Sequence, residues 1–430
     1  MPISLASASA EAMGRHDGQL HAEQVPLAVI AAAVGTPCYV YSANTIRARY
    51  QRLVSAFRES SPRIHYAMKA NSSLAILRLL REMGAGVDIV SGGELYRARA
   101  AGFSGADIVF SGVGKTVEEI DQALDAGVLL INVESEAELI TIDTVAGARG
   151  VVAPIAIRVN PEVTVETPHA YIRTGEKGQK FGIPRDDVER IAATALALPN
   201  VALRGLGMHL GSQIANADPM RDAIPRLLDV VRRVRAQGHQ LAYLDVGGGV
   251  AVPYAPDERP ADVEDYAALV ESTTRGTGLQ LMLEPGRFIV AEAGTLVTTV
   301  LYRKHAAGKD FVVTDAGMND LMRPALYQAY HAIEAVSDTP GVVTADVVGP
   351  ICESGDFFAK DRVLADVRAG ELLAIRAAGA YGFSMASNYN SRPRPVEVLV
   401  EGARFAIITE RERYEDLVRL EQAHLHWRSA

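Results

Sequence analysis

Eight short apolar runs, each ending at a polar or glycine-rich signature, set the rhythm of the chain. They cover 64–69, 87–91, 107–112, 128–133, 155–160, 206–211, 241–249 and 281–287. A stretch with helical spacing follows nearly every one. Leu74, Ile76, Leu77, Leu79 and Leu80 precede Gly84; similar patterns over 118–124 and 223–234 precede Gly127 and Gly238. Glycine just past the last turn is a common helix stop. Repeated β-then-α units predict a parallel sheet, and eight of them over about 230 residues fit a closed (β/α)8 barrel. The strand C-termini of such a barrel share one face. Lys69, Ser91, Asn160, His209, Gly247–Gly249, Glu284 and Arg287 are therefore expected to converge there.

The rhythm changes after Arg287. Runs at 293–302, 311–315, 344–348, 372–375 and 396–400 are short and β-branched, with few long helical patterns between them. They predict a second, mainly β domain. Upstream, a short helix over 25–34 closes at Gly35-Thr36-Pro37, and a strand follows at 38–41. The expected organisation is an N-terminal segment 1–35 packing with the β domain, a barrel over 36–287 and the β domain over 288–430.

Composition narrows the classes. The chain has 430 residues, 48% of them apolar and 22% charged, ordinary values for a globular protein with more than one core. A formal net charge of −9 argues against general binding to a phosphate backbone. Two cysteines, Cys38 and Cys352, are too few for a disulfide framework, and no metal-type Cys/His cluster appears. No apolar stretch is long enough to span a membrane. Residues 1–13 are Ala/Ser-rich without a basic start or apolar core, so a frayed end is expected rather than a secretory signal. A reducing cytoplasm is the expected compartment.

The strand ends carry the chemistry. Lys69 closes a run that should be buried, and burial disfavours the charged amine. A neutral amine there can form an imine with an aldehyde or carbonyl; a lysine reaching out to solvent is the alternative. His209, flanked by Gly207 and Gly211, has room to lie flat on a planar ligand, or is a satisfied structural histidine. Ser212 follows as a hydroxyl donor. Gly247-Gly248-Gly249 lets backbone N–H groups approach an anion, or simply makes a tight turn. Barrel phosphate sites often use the loops after strands seven and eight, and Glu284-Pro285-Gly286-Arg287 supplies the other loop. Glu284 can accept from a protonated pyridine nitrogen or pair with Arg287. Asp88 and Glu94 are weaker candidates; an acid at the start of a helix, as at Glu94, is favoured by the dipole alone.

In the second domain, Arg323 and Tyr327 place a guanidinium near a phenol, suited to a carboxylate. Cys352 precedes Glu353 and can be a thiol acid or a small buried hydrophobe. Gly379-Ala380-Tyr381-Gly382 and Asn388-Tyr389-Asn390 add polar groups.

Together these motifs resemble the pyridoxal-phosphate-dependent decarboxylases with an alanine-racemase-like barrel. The resemblance runs from about Val25 to about Leu420, through Tyr66–Asn71, Asp88–Leu95, Arg158–Pro161, Lys180-Phe181-Gly182, His209–Gln213, Asp245–Gly249, Glu284–Arg287, Asn319–Tyr327, Cys352–Asp356 and Gly379–Asn390. It implies pyridoxal 5'-phosphate held by Lys69, with His209 on the ring face and Glu284 at the ring nitrogen. Ser212, Gly248, Gly249 and the Gly286-Arg287 backbone would take the phosphate, with Tyr381 nearby. Arg287, Arg323, Tyr327, Glu353 and Tyr381 would meet the substrate. Catalysis would rest on Lys69, His209, Glu284 and Cys352. The resemblance also implies a homodimer in which Cys352 and Glu353 reach the partner's site, and a small amino-acid substrate; charge and composition already give the expectation of no metal and neither nucleic-acid nor membrane partners. A glutamate after the cysteine is similar to the diaminopimelate branch; ornithine decarboxylases carry aspartate there. That branch implies decarboxylation of meso-2,6-diaminopimelate to L-lysine.

Ornithine- or lysine-type decarboxylation is the alternative, but a substrate with one carboxylate does not need both Arg287 and Arg323. Racemisation needs a second base as clear as Lys69. A non-catalytic cofactor carrier resembles the barrel alone.

Overall fold

The protein was studied as a computed structural model, which describes residues 13–164, 169 and 174–421. Of the stretch 1–13, expected to be a frayed end, all but Met13 lies outside the described residues. Two compact units are present. One is Ala43–Ala293; the other joins the described residues up to Ser42 to those from Gly294 onward.

The first unit is a closed parallel barrel. Its strands are Arg63–Ala67, Gly86–Ile89, Ile108–Phe110, Leu130–Val133, Ala153–Asn160, Val201–Gly207, Tyr243–Asp245 and Gln280–Leu283. Each pairs in parallel with the next, and Met282↔Arg63 closes the ring. The strands are apolar at most positions because both faces are covered, as expected of a parallel sheet. Helices follow with clear end signals. Ser91 caps Gly92–Ala101 by accepting from the Glu94 N–H. Thr116 and Glu119 form a capping box for Val117–Ala126, and Gly127 ends that helix in the left-handed region.

Inside the first strand, His65 is buried opposite Gly86 in the ladder. A Cβ at residue 86 would lie 2.5 Å from His65 Cδ2, so the ring takes the space glycine leaves. Burial, aided by the nearby Arg63 cation, pushes the imidazole pKa down to about 3. The unfolded chain binds this proton near pH 6.5. Stability is therefore expected to fall as pH drops from about 6.5 towards 3. The His65 share is up to about 4 kcal/mol at the acid end of that window. Urea titrations at several pH values check this. A His65→Leu variant should lose less stability on acidification than wild type. Equal losses would exclude His65 as a source of acid sensitivity.

The second unit is built on one large sheet. Its strand order is Phe357–Ala365, Val342–Val348, Lys309–Thr314, Gly294–Ala306, Cys38–Ser42, Val396–Glu401 and Arg404–Thr409. Leu372–Ile375 also pairs with Gly294–Ala306, and Ile333–Ala335 pairs with Leu372–Ile375. The short helix Leu27–Val34 packs with Leu20, Cys38, Val297, Val398 and their neighbours in an apolar cluster.

The unit boundaries fall later than the 36 and 287 read from sequence. Cys38–Ser42 is a central strand of the second unit, hydrogen-bonded on both sides and wholly buried. The helix Arg287–Val290 stays with the first unit, where Arg49 stacks over Phe288 at 5.3 Å and pairs with Glu292.

Candidate active site

Most of the candidate chemistry in the first unit gathers at the C-terminal ends of the barrel strands. Lys69 does not end a strand. It lies two residues beyond Ala67, in the short 3₁₀ turn Met68–Ala70. Its side chain is consequently 37% exposed rather than desolvated, and Nζ sits 3.2 Å from Oδ2 of the fully buried Asp88. The other Asp88 oxygen has no hydrogen-bond partner. The amine is thus reachable from the mouth yet anchored to a buried acid.

Across the mouth, Ser111, Asn132, Arg158, Gly207, Met208, His209, Asp245 and Glu284 line one small cavity. His209 Nδ1 accepts the Gly248 N–H at 3.2 Å, so its ring proton sits on Nε2. Burial first, then Arg158 and Lys69, hold the imidazole well below its usual range, and it is neutral. Glu284 is pushed well above the usual carboxylate range by burial, reinforced by Asp245 and Asp88. Its Oε1 has no partner. Asp245 rises to about 6 for the same leading reason, even though it accepts the Gly247 N–H at 2.7 Å. Three buried acids at one end of the barrel are costly unless a cation or donor meets them.

The glycine turn brings backbone close to backbone. Gly249 adopts φ +94°, and a Cβ there would fall 2.3 Å from the Gly211 carbonyl oxygen; at Gly248 it would fall 2.1 Å from the Glu284 carbonyl oxygen. Neither position admits a side chain. Beside this cradle, the buried Arg287 donates from Nε to Ser212 Oγ at 3.1 Å and from Nη1 to the Tyr254 hydroxyl at 2.7 Å. Gly286 precedes the helix Arg287–Val290 as its N-cap.

Glu94 accepts the Val90 N–H at 2.7 Å, and burial raises it to about 7. It is a capping acid that also feels Asp88 and Lys69.

The donor set matches pyridoxal 5'-phosphate. An amine is available for its aldehyde. A buried carboxyl with one oxygen unpartnered suits a protonated ring nitrogen, and a neutral imidazole suits its face. A glycine cradle beside Ser212 and Arg287 suits its phosphate.

In the second unit, Arg323 opens the short helix Arg323–Tyr327 and is buried, with Nη1 2.8 Å from His331 Nε2. Cys352 is exposed, and its backbone N–H donates to Asn390 Oδ1 at 2.8 Å. Glu353 lies in the turn that Asp356 closes by accepting the Ile351 N–H at 2.6 Å. Tyr381 sits at φ +55° just before Gly382.

Asp245, Arg158, Ser111, Asn132 and Tyr254 join the site without having been singled out from sequence. Asp245 and Arg158 read as ordinary strand residues in their motifs. Arg158 pairs with Glu134 at 2.9 Å across two strand ends, a match that spacing does not reveal. The available signal was position: each lies at or just past a barrel strand's C-terminus, Tyr254 a few residues further on.

Comparison with known proteins agrees with this geometry. Residues 43–291 match the family model "Pyridoxal-dependent decarboxylase, pyridoxal binding domain". Fold and site together thus define a pyridoxal-dependent decarboxylase of the barrel type. The chain is 48% identical to diaminopimelate decarboxylase of Pseudomonas aeruginosa, over 93% of this chain and 96% of that protein. Its fold superimposes on diaminopimelate decarboxylase from Helicobacter pylori, complexed with L-lysine, with a TM-score of 0.89. Identity there is 42%, over 92% of this chain and 99% of that one. The M. jannaschii enzyme in co-complex with L-lysine gives a TM-score of 0.90 at 37% identity, covering 96% and 98%. The chain belongs to the diaminopimelate decarboxylase family.

Proposed function

We propose that the protein removes one carboxylate of meso-2,6-diaminopimelate to give L-lysine and CO2, as a cytoplasmic homodimer. Membership of the family supports this, and the observation that carries it is the pairing of Lys69 Nζ with Asp88 together with the buried Glu284 carboxyl, whose Oε1 has no hydrogen-bond partner. Among the described residues no helix is long and apolar enough to cross a membrane.

The cofactor, when bound, supplies an electron sink for the pair left behind as CO2 departs. The chain's own residues do the rest. Lys69 would hold the cofactor through Nζ, the nitrogen that Asp88 pairs with at 3.2 Å in this structure. Glu284 would meet the ring nitrogen, where a cation would relieve its crowding by Asp245 and Asp88. His209, neutral and held by Gly248, offers its face without adding charge. Ser212, Gly248, Gly249 and the Gly286–Arg287 backbone take the phosphate, with Tyr381 nearby. Arg287, Arg323, Tyr327, Glu353 and Tyr381 receive substrate, the distal carboxylate falling to Arg323 and Tyr327. Cys352 of the partner subunit returns a proton to Cα, with Lys69 the second candidate.

Amino-acid analysis after incubation with meso-diaminopimelate and pyridoxal phosphate tests the reading. Stoichiometric L-lysine and CO2 are expected. Turnover of ornithine or lysine in preference to diaminopimelate would overturn it.

A further inference from the structure

Arg323 and the residue that holds it are joined by an unusual contact. Buried guanidinium groups are commonly paired with carboxylates. Arg323 meets an imidazole: its Nη1 lies 2.8 Å from Nε2 of the fully buried His331. The other ring nitrogen, Nδ1, lies 2.8 Å from the Arg376 carbonyl oxygen. These two contacts fix the protonation state. A guanidinium can only donate and a carbonyl can only accept. His331 therefore accepts at Nε2 and donates from Nδ1, which is one neutral tautomer; an imidazolium would turn a proton towards the arginine.

The ring is itself anchored from several sides. His331 lies just before the strand Ile333–Ala335, and Arg376 lies just after Leu372–Ile375. These strands form an antiparallel ladder with Ile333 opposite Ile375. The Arg376 N–H donates to the Ala332 carbonyl at 2.9 Å, continuing that ladder. Arg362, stacked over Tyr330 at 3.9 Å, donates to the His331 carbonyl at 2.9 Å. A rigid β ladder thus sets the imidazole, and the imidazole sets the guanidinium.

We propose that His331 is a positioning and specificity-determining residue. It orients Arg323 with a neutral acceptor, so the contact fixes the guanidinium without drawing on its charge. This rests on the proposed role of Arg323 as the contact for the distal carboxylate of the substrate. A carboxylate at residue 331 would hold Arg323 equally well but would compete with that distal carboxylate. A neutral acceptor avoids the competition, and pre-orienting a long side chain lowers the ordering cost on binding.

Steady-state kinetics of the holoenzyme test this with His331→Leu, His331→Gln, His331→Glu and Arg323→Ala. Two competitive probes accompany diaminopimelate. L-lysine keeps the distal amine and carboxylate, whereas 1,5-diaminopentane lacks the carboxylate. His331→Leu should raise KM for diaminopimelate and Ki for L-lysine roughly ten-fold, near the lower end for a charge-assisted contact. Both kcat and the Ki for 1,5-diaminopentane should stay close to wild type. His331→Gln, with an amide oxygen to accept, should recover most of the loss. His331→Glu should not, although its contact with Arg323 is retained. Wild-type KM in His331→Leu, alongside a raised KM in Arg323→Ala, would overturn the positioning role alone. Wild-type KM in His331→Glu would overturn the charge argument. Wild-type KM in Arg323→Ala would overturn the assignment of Arg323 and this proposal with it. Parallel shifts for both probes would mark a merely structural effect and also overturn it. Should the leucine variant fail to fold, the Gln and Glu variants, alike in shape and different in charge, decide the question.

Discussion

Lys69→Ala is expected to cut decarboxylation by roughly 10^3-fold or more, because on the proposed assignment it removes both the covalent tether and an acid–base group from one position. The same variant should lose the visible absorbance of bound cofactor. Borohydride reduction of the wild-type protein followed by peptide mapping should place the pyridoxyl label on Lys69. The geometry singles this amine out from its neighbours. Lys115 also lies near the barrel mouth, but its Nζ is buried and bonded to Glu138 at 2.9 Å and to the carbonyls of Gly112 and Asn132 at 2.6 and 2.8 Å. An ammonium so fully satisfied has no reason to leave. Lys69 keeps an exposed side and one acid at 3.2 Å. A label on Lys115 or any other lysine would remove Lys69 from its assigned place.

The barrel was legible because a parallel sheet covered on both faces must be apolar along its whole length. Each run therefore stands out against the polar helix faces around it. What the runs could not set was their own ends. The run at 206–211 belongs to a strand that begins at Val201: the exposed Arg204 interrupts the apolar pattern as a bulge, and the ladder resumes at Gly205 beyond it. The run at 241–249 pairs only over Tyr243–Asp245; its glycines leave the ladder to form the cradle. In the second unit Phe357–Ala365 and Arg404–Thr409 were passed over. The first is broken by Lys360, Asp361 and Arg362, and the second is largely solvent-facing. Cys38–Ser42 was recognised as a strand but placed with the barrel it precedes, since partners more than 250 residues away leave no local trace.

The site divides in the same way. Lys69, His209, the glycine run and Glu284 could be picked out because their residue types are out of place at the ends of apolar strands. Their electrostatics could not be read. That Glu284 is crowded by Asp88 and Asp245 depends on three strand ends meeting. That Lys69 is half open depends on one 3₁₀ turn.

Mixing two inactive variants, Lys69→Ala and Cys352→Ala, is expected to restore activity to about a quarter of wild type. The chain has two cysteines. Cys38 is buried in a central strand, and burial pushes its thiol up to about 12, so it has no part in proton transfer. Cys352 is exposed, in a turn held by Asn390 and Asp356, which leaves it as the thiol for the proposed proton return to Cα. If it acts in the partner's site, every mixed dimer carries one site with both lesions and one with neither. Random reassortment makes about half of the dimers mixed, hence about a quarter of all sites intact. If Cys352 served its own chain's barrel, each site of a mixed dimer would carry one lesion and nothing would be recovered. Native mass spectrometry of the mixture establishes that subunits have exchanged. Each variant alone must be nearly silent for the comparison to count. Exchange without recovery would place Cys352 in its own chain's site or outside catalysis, and the composite-site reading would fall with it.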